Sequence, residues 1–248
     1  KILVRLLQEG RIRRPTLPEM EEAVGGFLKD KDFARALAFL ERVIATAPDR
    51  IPYLRKAAET AHRISRFDEA SHYHSLLGKA LEEKGDLEGA ERHLRRALRL
   101  NLRRIESHED LLAFTISHGE ANVISEVARA AAELCSQQGQ HERARDLLLR
   151  ALQQAEGETG LILALANTYV RLGQKDEAFT RLKAALDLLN PKRDRKKIEV
   201  LADRIMKLGH RSKEVVALLE HIREAGRASA RRQAVVVAVL VPVLITVF

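Results

Sequence analysis

The chain has 248 residues, of which 46% are hydrophobic and 4% aromatic, and its formal net charge is +8. It is long enough to bury a core as one or two domains, and its wealth of Ala, Leu, Arg and Glu is typical of an all-helical protein. The single cysteine, Cys135, excludes an internal disulfide and favours a reducing compartment.

Residues 1–16 have the features of a linker or of the end of a preceding element. The chain does not begin with Met, so we expect it to be an interior piece of a longer protein. Pro15 and Pro18 flank Thr16 and Leu17, and proline favours the first turn of a helix because no N–H is needed there. A first helix is therefore predicted to begin here, with Thr16 or Pro18 near its N-terminal cap.

Helix signals alternate with short turns from residue 17 onward. Apolar residues recur at helical spacing in pieces of about 12–18 residues, and β-branched residues are too sparse and irregular for strands. Pieces of this length suit paired antiparallel helices. The sequence therefore predicts an all-α fold with about twelve helices between residues 17 and 226.

Several of these turns are followed by a small residue at the same place. An alanine comes about four to six positions after the turn, where two helices must approach closely, at Ala36, Ala70, Ala90, Ala144 and Ala178. The clearest copy of the pattern spans residues 159–191, and a second good copy spans residues 74–97. This pattern resembles the tetratricopeptide repeat. The resemblance implies a right-handed α-solenoid of antiparallel helix hairpins over residues 17–190.

The spacing of the alanines departs from a regular array in two places. Ala36 and Ala70 lie 34 residues apart, as do Ala144 and Ala178, and 34 is the period of the family. Ala70 and Ala90 are only 20 residues apart, which leaves room for one helix rather than two. We predict that the helices at about 68–84 and 120–138 each close one hairpin and open the next.

The resemblance also implies a binding surface, because members of the family bind partners on the inner face formed by the first helix of each repeat. Some members clamp a chaperone's C-terminal carboxylate with Lys, Asn and Arg, but only Asn167 matches that set, so we do not expect such a clamp. The residues predicted to face the partner are Arg55, Lys56, Glu59, Ser75, Lys79, Arg129, Leu163, Asn167 and Arg171.

No catalytic or cofactor motif stands out. The sequence has no Gly-rich phosphate loop, no nucleophile elbow and no metal-spaced set of Cys and His. His72 and His74 lie two positions apart, and on a helix their side chains point about 200° apart, so they cannot share one ion. We expect neither enzyme activity nor a bound cofactor or metal.

Residues 191–232 carry most of the positive charge. Thirteen Lys and Arg stand against six Asp and Glu there, while residues 1–190 are nearly neutral. Stacking aromatics and a nucleic-acid module are missing, so nucleic acid is not an expected partner. Positive charge beside an apolar segment marks the cytoplasmic side of a membrane. We predict a basic degenerate repeat and juxtamembrane helices, with the membrane-proximal charges at Arg223, Arg227, Arg231 and Arg232.

The last fifteen residues carry no charge and include seven valines. As a helix they span about 22 Å, against the roughly 30 Å of a bilayer core. We interpret residues 233–248 as the start of a transmembrane helix, while docking on a partner subunit stays open. The predicted membrane-spanning residues are Ala234, Val235, Val236, Val237, Leu240, Val241, Leu244, Ile245 and Phe248.

These features predict a membrane-anchored cytoplasmic scaffold or adaptor, one arm of a larger membrane or envelope-spanning assembly, and we expect it at a bacterial inner membrane. Its partners would be proteins bound by the helical array and the membrane bound by the apolar segment. An alternative is the regulatory or linker region of a membrane-bound signalling enzyme, such as a kinase, with its catalytic domain outside this chain. The oligomeric state stays open.

Overall fold

The computed structural model describes residues 15–190, 193–208, 217 and 220. This part of the chain is built from helices joined by short turns, and no strand occurs in it. The helices are α1 (Leu17–Lys29), α2 (Phe33–Thr46), α3 (Ile51–Arg63), α4 (Phe67–Glu83), α5 (Leu87–Leu100), α6 (Ile105–His118), α7 (Ala121–Gln137), α8 (His141–Gln154), α9 (Thr159–Arg171), α10 (Lys175–Asp187) and α11 (Arg195–Lys207).

The chain divides into two compact units, and the division falls after Gly119. In unit 1, each of α1 to α5 packs against the next helix along the chain, and α4 also contacts α6. In unit 2, each of α7 to α10 packs against the next helix along the chain. In addition, α7 contacts α9 and α9 contacts α11. The predicted all-α fold of helix hairpins is therefore confirmed for the described residues.

The helix boundaries follow local chemistry that the sequence displays. At the start of α1, the Thr16 backbone N–H donates to the Glu19 carboxylate over 2.7 Å, which confirms Thr16 as the N-cap. Asp32 and Asp86 cap α2 and α5 by accepting from the backbone N–H three residues later. Gly85 lies in the turn after α4 and has a φ of +83°, a backbone conformation that residues with a side chain rarely adopt.

The alanines that define the repeat are all in the core. Ala36, Ala70, Ala90, Ala144 and Ala178 are each 0% exposed. A methyl group lets the two helix backbones approach closely while still filling the contact, so a larger side chain at these positions would push the helices apart. The small-residue pattern thus specifies where each helix meets its neighbour.

Helix α4 is buried on more than one side. It packs against α3, α5 and α6, and nine of its 17 residues are buried. These contacts agree with the prediction that the helix at about 68–84 closes one hairpin and opens the next, whereas for the helix at about 120–138 only the hairpin that it opens lies within its unit. Within unit 2, α7 packs against α8 and α9.

The C-terminal predictions fall mostly outside the described residues. About twelve helices were expected between residues 17 and 226, and eleven are described up to residue 207. The basic residues Arg223, Arg227, Arg231 and Arg232 and the apolar residues 234–248 lie outside the part that the structure describes. Among the residues that are described, no helix has the length and apolar character needed to cross a bilayer.

Helices α4 and α5 are in close contact at Gly78 of α4. A Cβ added at Gly78 would lie 2.6 Å from Leu94 Cγ and 3.1 Å from the backbone oxygen of Ala90, both on α5. Leu94 is 1% exposed, so it has little room to move away. Gly26, near the end of α1, offers the opposite case, since a Cβ there meets nothing within 4 Å.

The two glycines predict stability changes of opposite sign. Gly78→Ala should lower the free energy of unfolding by about 1–2 kcal/mol, because overpacking against Leu94 outweighs the gain in helix propensity. Gly26→Ala should raise it by about 0.5–1 kcal/mol, because only the propensity gain remains. Urea unfolding followed by circular dichroism measures both changes. Stabilisation by both substitutions would show that α4 and α5 are not in close contact at Gly78.

A pair of histidines lies between α4 and α5, and of the two His74 is buried and His93 is half-buried. The Nδ1 atoms of His74 and His93 lie 3.0 Å apart, and the two rings are stacked. Burial, followed by the charges of His93 and Arg96, lowers the pKa of His74 to about 3. His72 instead lies with its Nδ1 3.1 Å from the Arg104 guanidinium, so the two histidines singled out in the sequence have different partners.

This pair predicts a loss of stability in mild acid. The pKa of His74 is lower in the folded protein than in the unfolded chain. Its contribution to the free energy of unfolding is therefore fully present above pH 6.5 and is lost as the pH falls, because the unfolded chain then takes up a proton that the folded protein does not. Between pH 7 and pH 5 the free energy of unfolding should fall by about 2 kcal/mol from His74 alone. Urea unfolding at a series of pH values measures the slope. His74→Gln should flatten the slope, and an unchanged slope in that variant would contradict the assignment.

Candidate protein-binding groove

A groove runs between α7 and α9 on unit 2, and we call it the α7–α9 groove. It has a volume of about 630 Å³ and is open to solvent along one side. It brings together four of the residues predicted to face a partner, which are Arg129, Leu163, Asn167 and Arg171. Its other lining residues are Glu126, Ala130, Ala132, Glu133, Ser136, Gly160, Ala164 and Thr168.

Helical periodicity explains why these side chains share one surface. On α9, Leu163, Asn167 and Arg171 are spaced by four residues, so they follow one another along one face. On α7, Arg129 and Glu133 have the same spacing on the facing wall. The residues between them at the bottom of the groove are small, which leaves space for the side chains of a bound segment.

At Gly160, the start of α9 lies close to Arg129 of α7. A Cβ added there would lie 3.3 Å from Arg129 Nη1 and 3.4 Å from Arg129 Cδ. Arg129 therefore lies across the start of α9, over the one residue that has no side chain. A larger residue at position 160 would displace the Arg129 guanidinium from this place.

The charges of the groove are mixed and largely solvated. Arg171 Nη1 lies 3.4 Å from Glu133 Oε2, and their side chains are 43% and 55% exposed. An ion pair this exposed stabilises the fold by at most about 1 kcal/mol. The two groups are therefore available to a partner at little cost in stability.

Arg204 of α11 extends the site to a third helix. Its guanidinium donates a hydrogen bond to Asn167 Oδ1, while its Nε is buried and has no hydrogen-bond partner among the described residues. This contact orients the Asn167 amide, and sequence reasoning missed it. Glu133 was also missed, although it lies 34 residues before Asn167 and the repeat period could have identified it.

The five residues predicted on unit 1 do not form a comparable groove. Arg55, Lys56 and Glu59 are exposed on α3, and Lys56 and Glu59 line a shallow depression beside α2. Lys79 Nζ is held 2.5 Å from Asp110 Oδ1 of α6. Ser75 was predicted to face a partner, but it is buried at 3% exposure because α4 packs against three other helices.

Comparison with known proteins identifies the repeat in two places. Tetratricopeptide repeat profiles match residues 71–103, over α4 and α5, and residues 161–196, over α9 and α10. These are the two copies that the sequence pattern singled out. No curated protein matches the chain.

Solved structures with helical repeats share low identity with this chain. A crystal structure of MamA is 17% identical, covering 69% of this chain and 90% of its own, with a TM-score of 0.25. PilW, a type IV pilus biogenesis factor, is 17% identical over 90% of this chain and 100% of its own, with a TM-score of 0.35.

A putative kinesin light chain with tetratricopeptide-like repeats from Podospora anserina is 19% identical, covering 87% of this chain and 96% of its own, with a TM-score of 0.40. TM-scores this low carry no argument about function. The chain contains tetratricopeptide repeats, one over residues 71–103 and one over residues 161–196.

Proposed function

We propose that this chain is a membrane-anchored cytoplasmic scaffold that binds protein partners through the α7–α9 groove. The observation that carries the proposal is the groove itself, where Arg129, Leu163, Asn167 and Arg171 line one open surface. Tetratricopeptide repeats mediate protein–protein interactions, which supports a protein as the ligand.

The chemistry of the groove suits a peptide segment. Leu163 is half-buried and offers an apolar contact at the centre. Asn167 has both a donor and an acceptor on its side chain, and the arginines offer several N–H donors to backbone carbonyls and carboxylates. An apolar centre with a polar rim is the usual layout of a protein interface.

The membrane part of the proposal rests on the C-terminal sequence. Residues 234–248 carry no charge and follow a segment rich in arginine. Such an order favours a span whose N-terminal side is cytoplasmic. The scaffold would then act as one arm of a larger assembly at a bacterial inner membrane.

A charge reversal in the groove should abolish partner binding. A photo-crosslinking residue in place of Leu163 is expected to form an adduct with the partner in cells. Arg171→Glu should reduce this adduct at least tenfold, because the donor pattern of the groove is lost while the fold loses at most about 1 kcal/mol. Arg150→Glu, at an exposed position of α8, makes the same charge change outside the groove and should leave the adduct intact. Equal yields from the two variants would contradict the proposed site.

Membrane fractionation tests the anchor. The full-length protein is expected to resist carbonate extraction, and protease should cut the array only from the cytoplasmic side. A variant that stops after residue 233 should be released from membranes by carbonate. Release of the intact protein by carbonate would instead favour docking of residues 234–248 on a partner subunit.

A further inference from the structure

Positive charge in unit 1 is concentrated on α5 and the turn that follows it. Residues 86–104 contain six arginines against three acids, Asp86, Glu88 and Glu91, which gives +3. The other residues from 15 to 119 contain eleven Lys and Arg against fifteen Asp and Glu, which gives −4. Unit 1 is therefore nearly neutral as a whole but strongly polarised.

The arginines of α5 share one outward face. At about 100° per residue, Arg92, Arg95, Arg96 and Arg99 fall within an arc of roughly 100°. All four are exposed, and they lie opposite the buried residues Ala90, Leu94 and Ala97. We call this surface the α5 arginine face.

Salt bridges within the helix neutralise only half of this face. Arg92 lies 2.6 Å from Glu88 and Arg95 lies 2.7 Å from Glu91, each as an exposed pair four residues apart. Arg96 and Arg99 make no ion pair with any residue that the structure describes. Two guanidinium groups, one turn apart, therefore project into solvent without a counter-charge.

The same positive charges affect the pKa of the neighbouring His93. Burial is the first cause that lowers its pKa, and the charges of Arg55, Arg96 and Arg92 lower the pKa further. Arg55 comes from α3, so a second helix contributes positive charge near His93, while Asp86 acts in the opposite direction. With four arginines against Glu88 and Glu91, the net charge of the α5 arginine face is positive.

An exposed leucine follows the arginine face along the chain. Leu102, in the turn after α5, is 67% exposed. Residues 84–104 contain no Phe, Tyr or Trp, so the face has no ring on which a nucleic-acid base could stack. Each Lys or Arg close to an anionic lipid surface is attracted to it by about 1 kcal/mol.

We propose that the α5 arginine face binds the phosphate-bearing headgroups of an anionic membrane surface, with Leu102 contacting the acyl boundary. Arginine suits this role because its planar fork pairs with phosphate through two hydrogen bonds. The residues of this face are different from those that line the α7–α9 groove and from residues 234–248.

A single dye on the full chain tests the contact locally. Cys135 is the only cysteine, so Cys135→Ala with Leu102→Cys gives one labelling site, to which an environment-sensitive dye is attached. The protein is mixed with phosphatidylcholine vesicles, with or without 30 mol% phosphatidylglycerol. The dye at position 102 reports the α5 face even if residues 234–248 insert into both kinds of vesicle.

The emission should shift to the blue with anionic vesicles only, and the shift should disappear in high salt. Arg96→Gln with Arg99→Gln should weaken docking roughly 30-fold, since each arginine near an anionic surface contributes about fivefold. Arg35→Gln with Arg42→Gln, two exposed positions of α2, makes the same charge change and should leave the shift in place.

The proposal would be overturned by no shift with anionic vesicles, by an equal shift with neutral vesicles, or by an equal loss in the α2 control variant. Loss of binding to a labelled DNA duplex in the α5 variant, with an unchanged lipid shift, would assign the face to nucleic acid instead. Failure of the carbonate test leaves the dye shift unaffected, so the two proposals fail independently.

Discussion

The close contact between small residues on neighbouring helices is the constraint on which the rest of the structure depends. No helix of this length can bury its apolar face alone, so each must pack against a partner. The fully buried alanines at Ala36, Ala90 and Ala178, together with Gly78, let neighbouring backbones approach closely. The distance between helices follows from the side chains at the contact, so these residues also determine where grooves open between neighbours.

One consequence is the polar interior around α4. A helix packed against three others must bury some of its polar residues, and these need partners inside the protein. Ser71 donates to the Ala97 carbonyl over 2.9 Å and lies 3.1 Å from Ser107 Oγ, and His74 pairs with His93. The same packing buries Ser75. Because α4 is shared by two hairpins, more of its side chains are buried and fewer of them are available to a binding partner.

The two candidate surfaces differ in shape and in charge. The α7–α9 groove combines a floor of small residues with walls that carry Arg and Glu, which suits a segment of protein. The α5 arginine face is an outward helix surface whose charge exceeds what its own glutamates balance. In both, the ion pairs are exposed and contribute little to stability. Their charges are therefore available for binding rather than needed for folding.

The sequence by itself determined the helices, their turns and the repeat, because apolar periodicity, glycine turns and alanines spaced by 34 residues are local signals. It also identified α4 as a shared helix from the spacing of Ala70 and Ala90. Only the tertiary structure decided that Ser75 is buried, that Arg204 reaches Asn167, and that Gly160 lies under Arg129. Those outcomes depend on which helices come into contact and how far each side chain extends. The residues involved are distant in the chain, so the local sequence pattern does not show that they meet.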